Sequence, residues 1–299
     1  MPPVALFVYN RLAHVRRVVQ SLLAADGAEQ VQLFIFSDGA KNDSDRKSVA
    51  DVRAYCHAIS GFDSVSVVER DVNVGLAQNI IGGVGDILRV QQSVIVLEDD
   101  LIVSKGFLVY MRSALDFYHN KNVFSIAGYT PTISLPSDYP DSTYAVMRNC
   151  SWGWATWQDR WNLVDWQVAD FNHFIRNRAQ QKEFNSCGND LTPMLLRQQT
   201  GEINSWSIRF CYAAFRHHMP TIYPCRSLIS NGGADGSGTN VSRTNKYATQ
   251  VTDYIDDHRF TKNTMPIESI VHSFSQTYNT SLLRRLINKF KIFRYCLKN

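Results

Sequence analysis

Glu98, Asp99 and Asp100 are three adjacent carboxylates that close an apolar run, Val94-Ile95-Val96-Leu97. Four branched apolar residues in a row fit a strand covered on both faces, the usual state of a parallel strand in an α/β sheet. The acids then stand at its carboxyl end, the edge where open α/β sheets bind ligands. Three like charges packed together require a cation. Hard oxygen ligands of this kind select magnesium or manganese, ions that keep several waters and bridge to substrate phosphates. A solvated acidic turn is the plainer alternative, and the neighbouring motifs weigh against it. Extended geometry, where it persists, puts Glu98 and Asp100 on one side and Asp99 on the other.

The elements that must position these acids alternate along the first half. Val4–Tyr9, Val31–Ser37, Val65–Glu69 and Val94–Leu97 read as strands, and Ala13–Ala25, Lys47–Ser60, Ala77–Val90 and Phe107–His119 as helices. This alternation predicts a parallel sheet with helices on both faces. The strands end in Asn10-Arg11, Ser37-Asp38-Gly39, Asn73-Val74-Gly75 and Glu98-Asp99-Asp100, so four strand ends are expected on one edge. Near Gly128 the character changes: proline and aromatic residues become frequent, and all six tryptophans lie between Trp152 and Trp206. The stretch Asn231–Asn240 carries four glycines in ten residues and reads as a mobile loop.

At 299 residues, 44% hydrophobic and 19% charged, the chain has globular composition and enough length to bury a large core. Its opening apolar run, Val4–Tyr9, is too short for a leader and is followed by Asn10-Arg11. No run approaches the ~18 to 20 apolar residues of a membrane span, so a cytoplasmic location is expected. Six scattered cysteines without a Cys-x-x-Cys pair indicate neither a zinc site nor a disulfide framework. The net charge is +4, and six basic residues with no acid fall between Leu282 and Asn299; removing those six leaves −2 for the rest. A nucleic-acid partner is thereby excluded, since it would require a basic face on the body of the fold. Tyr9-Asn10-Arg11-Leu12-Ala13-His14 holds no glycine, which excludes a dinucleotide loop, and the phosphate loop Gly-x-x-x-x-Gly-Lys-Ser/Thr is also missing. A metal at the acid triplet would neutralise nucleotide phosphates instead.

The run Val94–Ser104 followed by Gly106-Phe107-Leu108, with Asn73–Ala77 upstream and Ser151–Trp157 downstream, resembles bacterial nucleotide-sugar glycosyltransferases related to N-acetylglucosaminyltransferase I and glycosyltransferase family 2. The likeness runs from about Val4 to about Asn240 and includes Ile126–Pro131, Tyr223–Leu228 and Asp235–Thr239. It implies a GT-A fold: a Rossmann-like, mostly parallel sheet flanked by helices. Residues 1–128 would bind the nucleotide sugar, 129–280 would form the acceptor-binding and catalytic half of the same domain, and 281–299 a basic amphipathic tail. By position, the resemblance implies that Tyr9, Asn10 and Arg11 border the nucleotide and that Asp38 reads base or ribose, against a plain turn role for an Asp-Gly pair. Asn73 and Gly75 would shape the donor floor, Glu98 and Asp99 would belong to the cofactor-binding acids, and Asp100 would make the direct contact to a manganese or magnesium ion. Trp152 or Trp154, either side of Gly153, would face the acceptor sugar, with core packing as the competing role.

The activity implied is transfer of a sugar, with inversion, from a nucleoside diphosphate to a glycan or glycolipid in surface polysaccharide assembly. A sugar nucleotidyltransferase and a silent carbohydrate-binding module are the rivals. The family's general base, an aspartate just before a tryptophan, aligns here with Asn204 in Glu202-Ile203-Asn204-Ser205-Trp206, and an amide cannot serve. Three explanations stand: a nearby acid has taken the role, the chain carries an inactivating substitution, or the alignment is displaced by a few positions. The available acids are Asp190, Glu202 and Asp235; Asp190 is slightly favoured, with a helix N-cap as its more ordinary role. The tail repeats Leu282, Leu283, Leu286, Ile287, Phe290, Phe293 and Leu297 at helical spacing beside its basic residues. That pattern predicts a helix on an anionic membrane surface, peripheral to the inner face of the cell membrane, or else one packed on the domain.

Overall fold

The alternation of the first half is realised strand by strand. β1 (Val4–Val8) leads to α1 (Leu12–Leu23), β2 (Gln32–Ser37) to α2 (Arg46–His57) and β3 (Ser64–Glu69) to α3 (Leu76–Leu88). β4 (Ser93–Glu98) then passes through the short β5 (Leu101–Val103) to α4 (Phe107–Tyr118). Each bound lies within a few residues of the one read from periodicity. β1 is buried along all five residues, as a strand covered on both faces must be. In α1 the buried side chains are His14, Val15, Val18, Val19 and Leu22, the spacing that turns one helix face to a sheet. The computed structural model describes residues 1–232, 249, 251–253 and 259–298.

The second half begins with β6 (Ser125–Ala127), β7 (Thr143–Val146) and β8 (Trp154–Trp157), and continues through α5 (Gln158–Asn162), α6 (Phe171–Phe174), α7 (Arg178–Phe184), α8 (Leu191–Gln199) and α9 (Trp206–Arg216). β9 (Thr221–Pro224), β10 (Ile229–Asn231), α10 (Glu268–Tyr278) and α11 (Leu282–Lys298) follow. One eight-stranded sheet in the order β3-β2-β1-β4-β8-β6-β9-β7 unites both halves. Pairs β1/β2, β2/β3, β1/β4 and β6/β9 are parallel, whereas β8 is antiparallel to β4 and β6, and β7 to β9. The fold is therefore α/β with a mostly parallel sheet. From β1 the chain moves to one side for β2 and β3, then returns to the other side with β4, so the β1/β4 boundary is a topological switch point.

Apolar side chains fill both faces of this sheet. Trp154, Trp161, Trp206 and Phe210 pack with α3 on one face, and α1 and α4 cover the other. A third cluster, centred on Phe174, Phe184 and Tyr212, joins α6, α7, α8 and α9. The terminal α11 docks on that cluster through Ile292, Tyr295 and Cys296. The Tyr295 hydroxyl donates to Asn172 Oδ1 at 3.1 Å, and Lys291 pairs with Glu202 at 3.7 Å. Its predicted apolar residues do not make this contact: Leu282, Leu283, Leu286, Ile287, Phe290, Phe293 and Leu297 are all exposed. Among the described residues no helix is long and apolar enough to cross a membrane, and all six cysteines are free thiols.

Candidate active site

The switch point gathers the two segments singled out by chemistry. Arg11, at the N-cap position of α1 directly beyond β1, reaches across to the turn after β4. Its Nη2 donates to Asp99 Oδ1 and, at 3.1 Å, to Asp100 Oδ2, and its Nε lies 3.4 Å from Asp99 Oδ2. The cation demanded by the acids is thus, in this state, a side chain of the protein. Burial alone would lower the Arg11 pKa, but Asp99 and Asp100 outweigh it and hold the guanidinium charged. Arg11 Nη1 is buried without a partner among the described residues, which leaves one strong donor unused. The alternation expected for the triplet ends with the strand: β4 stops at Glu98, and Asp99 and Asp100 lie in a turn that lets one guanidinium bond both.

The three acids differ in environment. Burial, reinforced by the charges of Asp100 and Asp99, pushes the Glu98 carboxyl up from 4.5 to about 8, which favours its protonated form. Burial also raises Asp99, against the opposing pull of Arg11. Asp100 keeps more of its side chain exposed than Asp99, 16% against 7%. A carboxyl raised in the folded state contributes stability that is fully present below its unfolded pKa and is lost as pH rises through the folded one. In metal-free buffer the unfolding free energy should therefore fall between about pH 5 and about pH 8, and Glu98→Gln should flatten that slope in urea titrations. An unchanged slope in the variant would rule out Glu98 as its source.

Asp38, beyond β2, is buried and fully engaged. Its Oδ1 accepts from the backbone N–H groups of Gly39 and Val74, both at 2.9 Å, and its Oδ2 from Gly75 N at 2.9 Å and Asn73 Nδ2 at 3.1 Å. The carboxylate holds the loop that starts α3, in which Gly75 adopts φ +78°, a conformation glycine accepts without strain. Gly39 is equally constrained, since a Cβ there would lie 2.4 Å from the Val72 carbonyl carbon. With four protein donors around it, Asp38 positions the Asn73–Gly75 loop and has no oxygen left without a hydrogen bond. Asp38→Asn turns an amide NH2 toward backbone donors, so urea denaturation should register a loss of about 2–3 kcal/mol.

Two residues absent from the sequence reading complete this edge. Asp45, just before α2, accepts from the Tyr9 hydroxyl at 2.9 Å and from Asn10 Nδ2 at 3.0 Å, fixing both side chains. Arg53 of α2 donates to the Arg70 carbonyl at 2.7 Å and to Ser37 Oγ at 3.2 Å, which ties together the ends of β2 and β3. Neither carries a local motif; each acts on segments distant in sequence.

The remaining candidates separate. Trp154 is 1% exposed and stacks on Trp206 at 4.7 Å and on Trp161 at 6.0 Å, so it fills the core and does not face an acceptor. Trp152 is half-buried, edge-on to Tyr129 at 4.7 Å. Between them Gly153 has φ +58°, and a Cβ there would meet Ile229 Cδ1 at 2.1 Å: its missing side chain admits Ile229 and not a sugar. Asp190 stands at the N-cap position of α8 without capping it, and instead accepts a bidentate pair from Arg148 at 2.8 and 2.9 Å. Glu202 pairs with Arg197 and Lys291 on the surface, and Asn204 Oδ1 accepts from Arg209 at 3.2 Å. None of the three joins the switch-point acids in any described contact. Asp235 and most of the glycine-rich stretch lie outside the described residues. The chain leading to them is well placed: β10 pairs with β5, and Gly232 N donates to the Asp100 carbonyl at 2.7 Å.

No family model and no curated protein matches the chain. Among solved structures it is similar to TarS of S. aureus, with a TM-score of 0.41 and 11% identity over 77% of this chain and 36% of that one. S. aureus TarS 1–349 in complex with UDP-GlcNAc gives 0.45 and 11%, covering 77% of this chain and 58% of that one. TarS 1–349 alone gives 0.43 and 10%, covering 79% and 62%. The chain thus spans less than two thirds of each of these structures.

Proposed function

We propose that this chain is a metal-dependent GT-A glycosyltransferase, related to the N-acetylglucosaminyltransferase I and family 2 enzymes, that moves a sugar from a nucleoside diphosphate to a glycan or glycolipid in surface polysaccharide or lipopolysaccharide assembly. One observation carries this reading: at the switch point of the sheet, Arg11 bridges Asp99 and Asp100 while its Nη1 remains an unused buried donor. A site that balances two acids against a guanidinium is built to trade partners with a diphosphate and its counter-ion. Tyr9 and Asn10, held by Asp45, and the loop held by Asp38 would form the walls and floor of the donor site.

The fit to a metal rests on donor chemistry. Among the described residues no three acids, histidines or cysteines converge on one point, but magnesium and manganese need only one or two carboxylates when substrate phosphates and waters supply the rest. Asp100 would hold the ion and Asp99 would stay with Arg11. Bound there, the ion would neutralise the diphosphate leaving group. Arg11, released from Asp100, would turn toward the phosphates and keep Asp99 paired. For the general base of a single displacement, Asp190 and Glu202 are committed to ion pairs and Asn204 is an amide. Asp235, three residues beyond Gly232, is the remaining candidate.

Isothermal titration with UDP and GDP, with and without manganese, tests the reading. Expected is binding that needs the ion and disappears in Asp100→Asn; sugar binding without nucleotide would support the carbohydrate-binding alternative, whose aromatic platform is weakened by the burial of Trp154. The nucleotidyltransferase alternative lacks its glycine loop after β1.

A further inference from the structure

The faces of α11 are sorted in a way that neither the core nor the proposed catalytic edge accounts for. At about 100° per residue, Asn288, Ile292, Tyr295 and Cys296 fall in one arc, and all four are half-buried. Ile292, Tyr295 and Cys296 pack on the helical cluster. The opposite arc holds Leu282, Leu283, Leu286, Ile287, Phe290, Phe293 and Leu297, of which Leu286 is 65% and Phe290 60% exposed. This apolar stripe runs the length of a 17-residue helix, about 25 Å. Exposed basic residues surround it: Lys289 borders the stripe on one side and Arg284 and Lys291 on the other, Arg294 falls between Leu283 and Ile287, and Arg285 lies at the exposed N-terminal end of the docked arc. The segment contains no acidic residue.

We infer that α11 is a rigid membrane bracket, docked on the domain by one face and inserting the opposite face into an anionic lipid surface. A protein partner would need acids facing both basic borders along the whole stripe. An anionic bilayer supplies negative charge on both sides of an apolar interior, the arrangement in which long basic side chains keep their heads in water and their stems along the apolar boundary. The docked face adds what a free tail would lack. With Tyr295 bonded to Asn172 and Lys291 to Glu202, the lipid-binding face is held fixed relative to the fold. This reading is independent of the transferase reading.

The full chain should co-sediment with phosphatidylcholine vesicles containing phosphatidylglycerol, and at least about tenfold less with phosphatidylcholine alone. Binding should weaken as salt is raised. The double variant Leu286→Glu/Phe290→Glu, both positions being exposed and so compatible with an unchanged circular dichroism spectrum, should lose at least about tenfold in vesicle binding. Lys289→Glu/Arg294→Glu should lose the preference for anionic lipid. Equal sedimentation of the apolar-face variant and the unaltered chain would overturn the proposal. So would light scattering that finds a dimer dissociated by Leu286→Glu/Phe290→Glu together with no vesicle binding, because a second copy would then cover the stripe.

Discussion

On the proposed reading as a metal-dependent transferase, Asp100→Asn is expected to lower sugar transfer about 100- to 1000-fold while leaving the fold intact. The expectation follows from charge and from contacts. The variant removes one carboxylate charge from the place where a metal would offset a leaving diphosphate, an effect of roughly 3–4 kcal/mol in the transition state. Arg11 meanwhile keeps its two contacts to Asp99, so the β1/β4 edge retains its main internal ion pair. Asp99→Asn should behave differently, since it weakens the interaction that keeps Arg11 charged in a buried setting, and it should lower stability as well as activity. The measurements are initial rates with a nucleoside diphosphate sugar and manganese, alongside thermal melts. Undiminished rates for Asp100→Asn, or for the unaltered protein in excess chelator, would remove the metal from the mechanism.

Strand bounds and the convergence of four strand ends were legible because they rest on local patterns. An apolar run such as Val94–Leu97 announces a buried strand, and the spacing of Val15, Val18, Val19 and Leu22 announces a helix face. What those patterns cannot encode is which distant group meets which. Arg11 and Asp99 are 88 positions apart, and Asp38 meets its loop donors 35 to 37 positions away. The sequence therefore called for a cation at the acids without disclosing that Arg11 supplies one. Trp154 misled for a related reason. Glycine beside tryptophan is equally compatible with an open platform and with a close-packed interior, and only the arrival of Ile229 over Gly153 decides between them. For α11 the apolar stripe was visible, yet a helix can pack through the polar-looking side, as Tyr295 and Cys296 do here.

Asp190 gives the sharpest contrast between a chemical and a structural role. Its carboxylate receives two hydrogen bonds from Arg148, whose side chain is 12% exposed and lies 3.8 Å from the centre of the Tyr278 ring. The pair joins the chain after β7 to the start of α8, and Tyr278 brings in the end of α10. Removing one partner of such a pair strands the other: Asp190→Ala would leave a guanidinium with its neutralising charge gone in a site that keeps it largely from water. The expected cost is about 3–5 kcal/mol, read as a shift in urea midpoint at constant slope. Asp190→Leu combined with Arg148→Met should recover most of that loss, because replacing both members of a buried pair by apolar groups is often close to neutral. A general base would produce another pattern. If Asp190→Ala matches the unaltered protein in stability and nucleotide affinity yet fails to transfer sugar, the carboxylate is chemical after all, and its pairing with Arg148 must open when the acceptor binds.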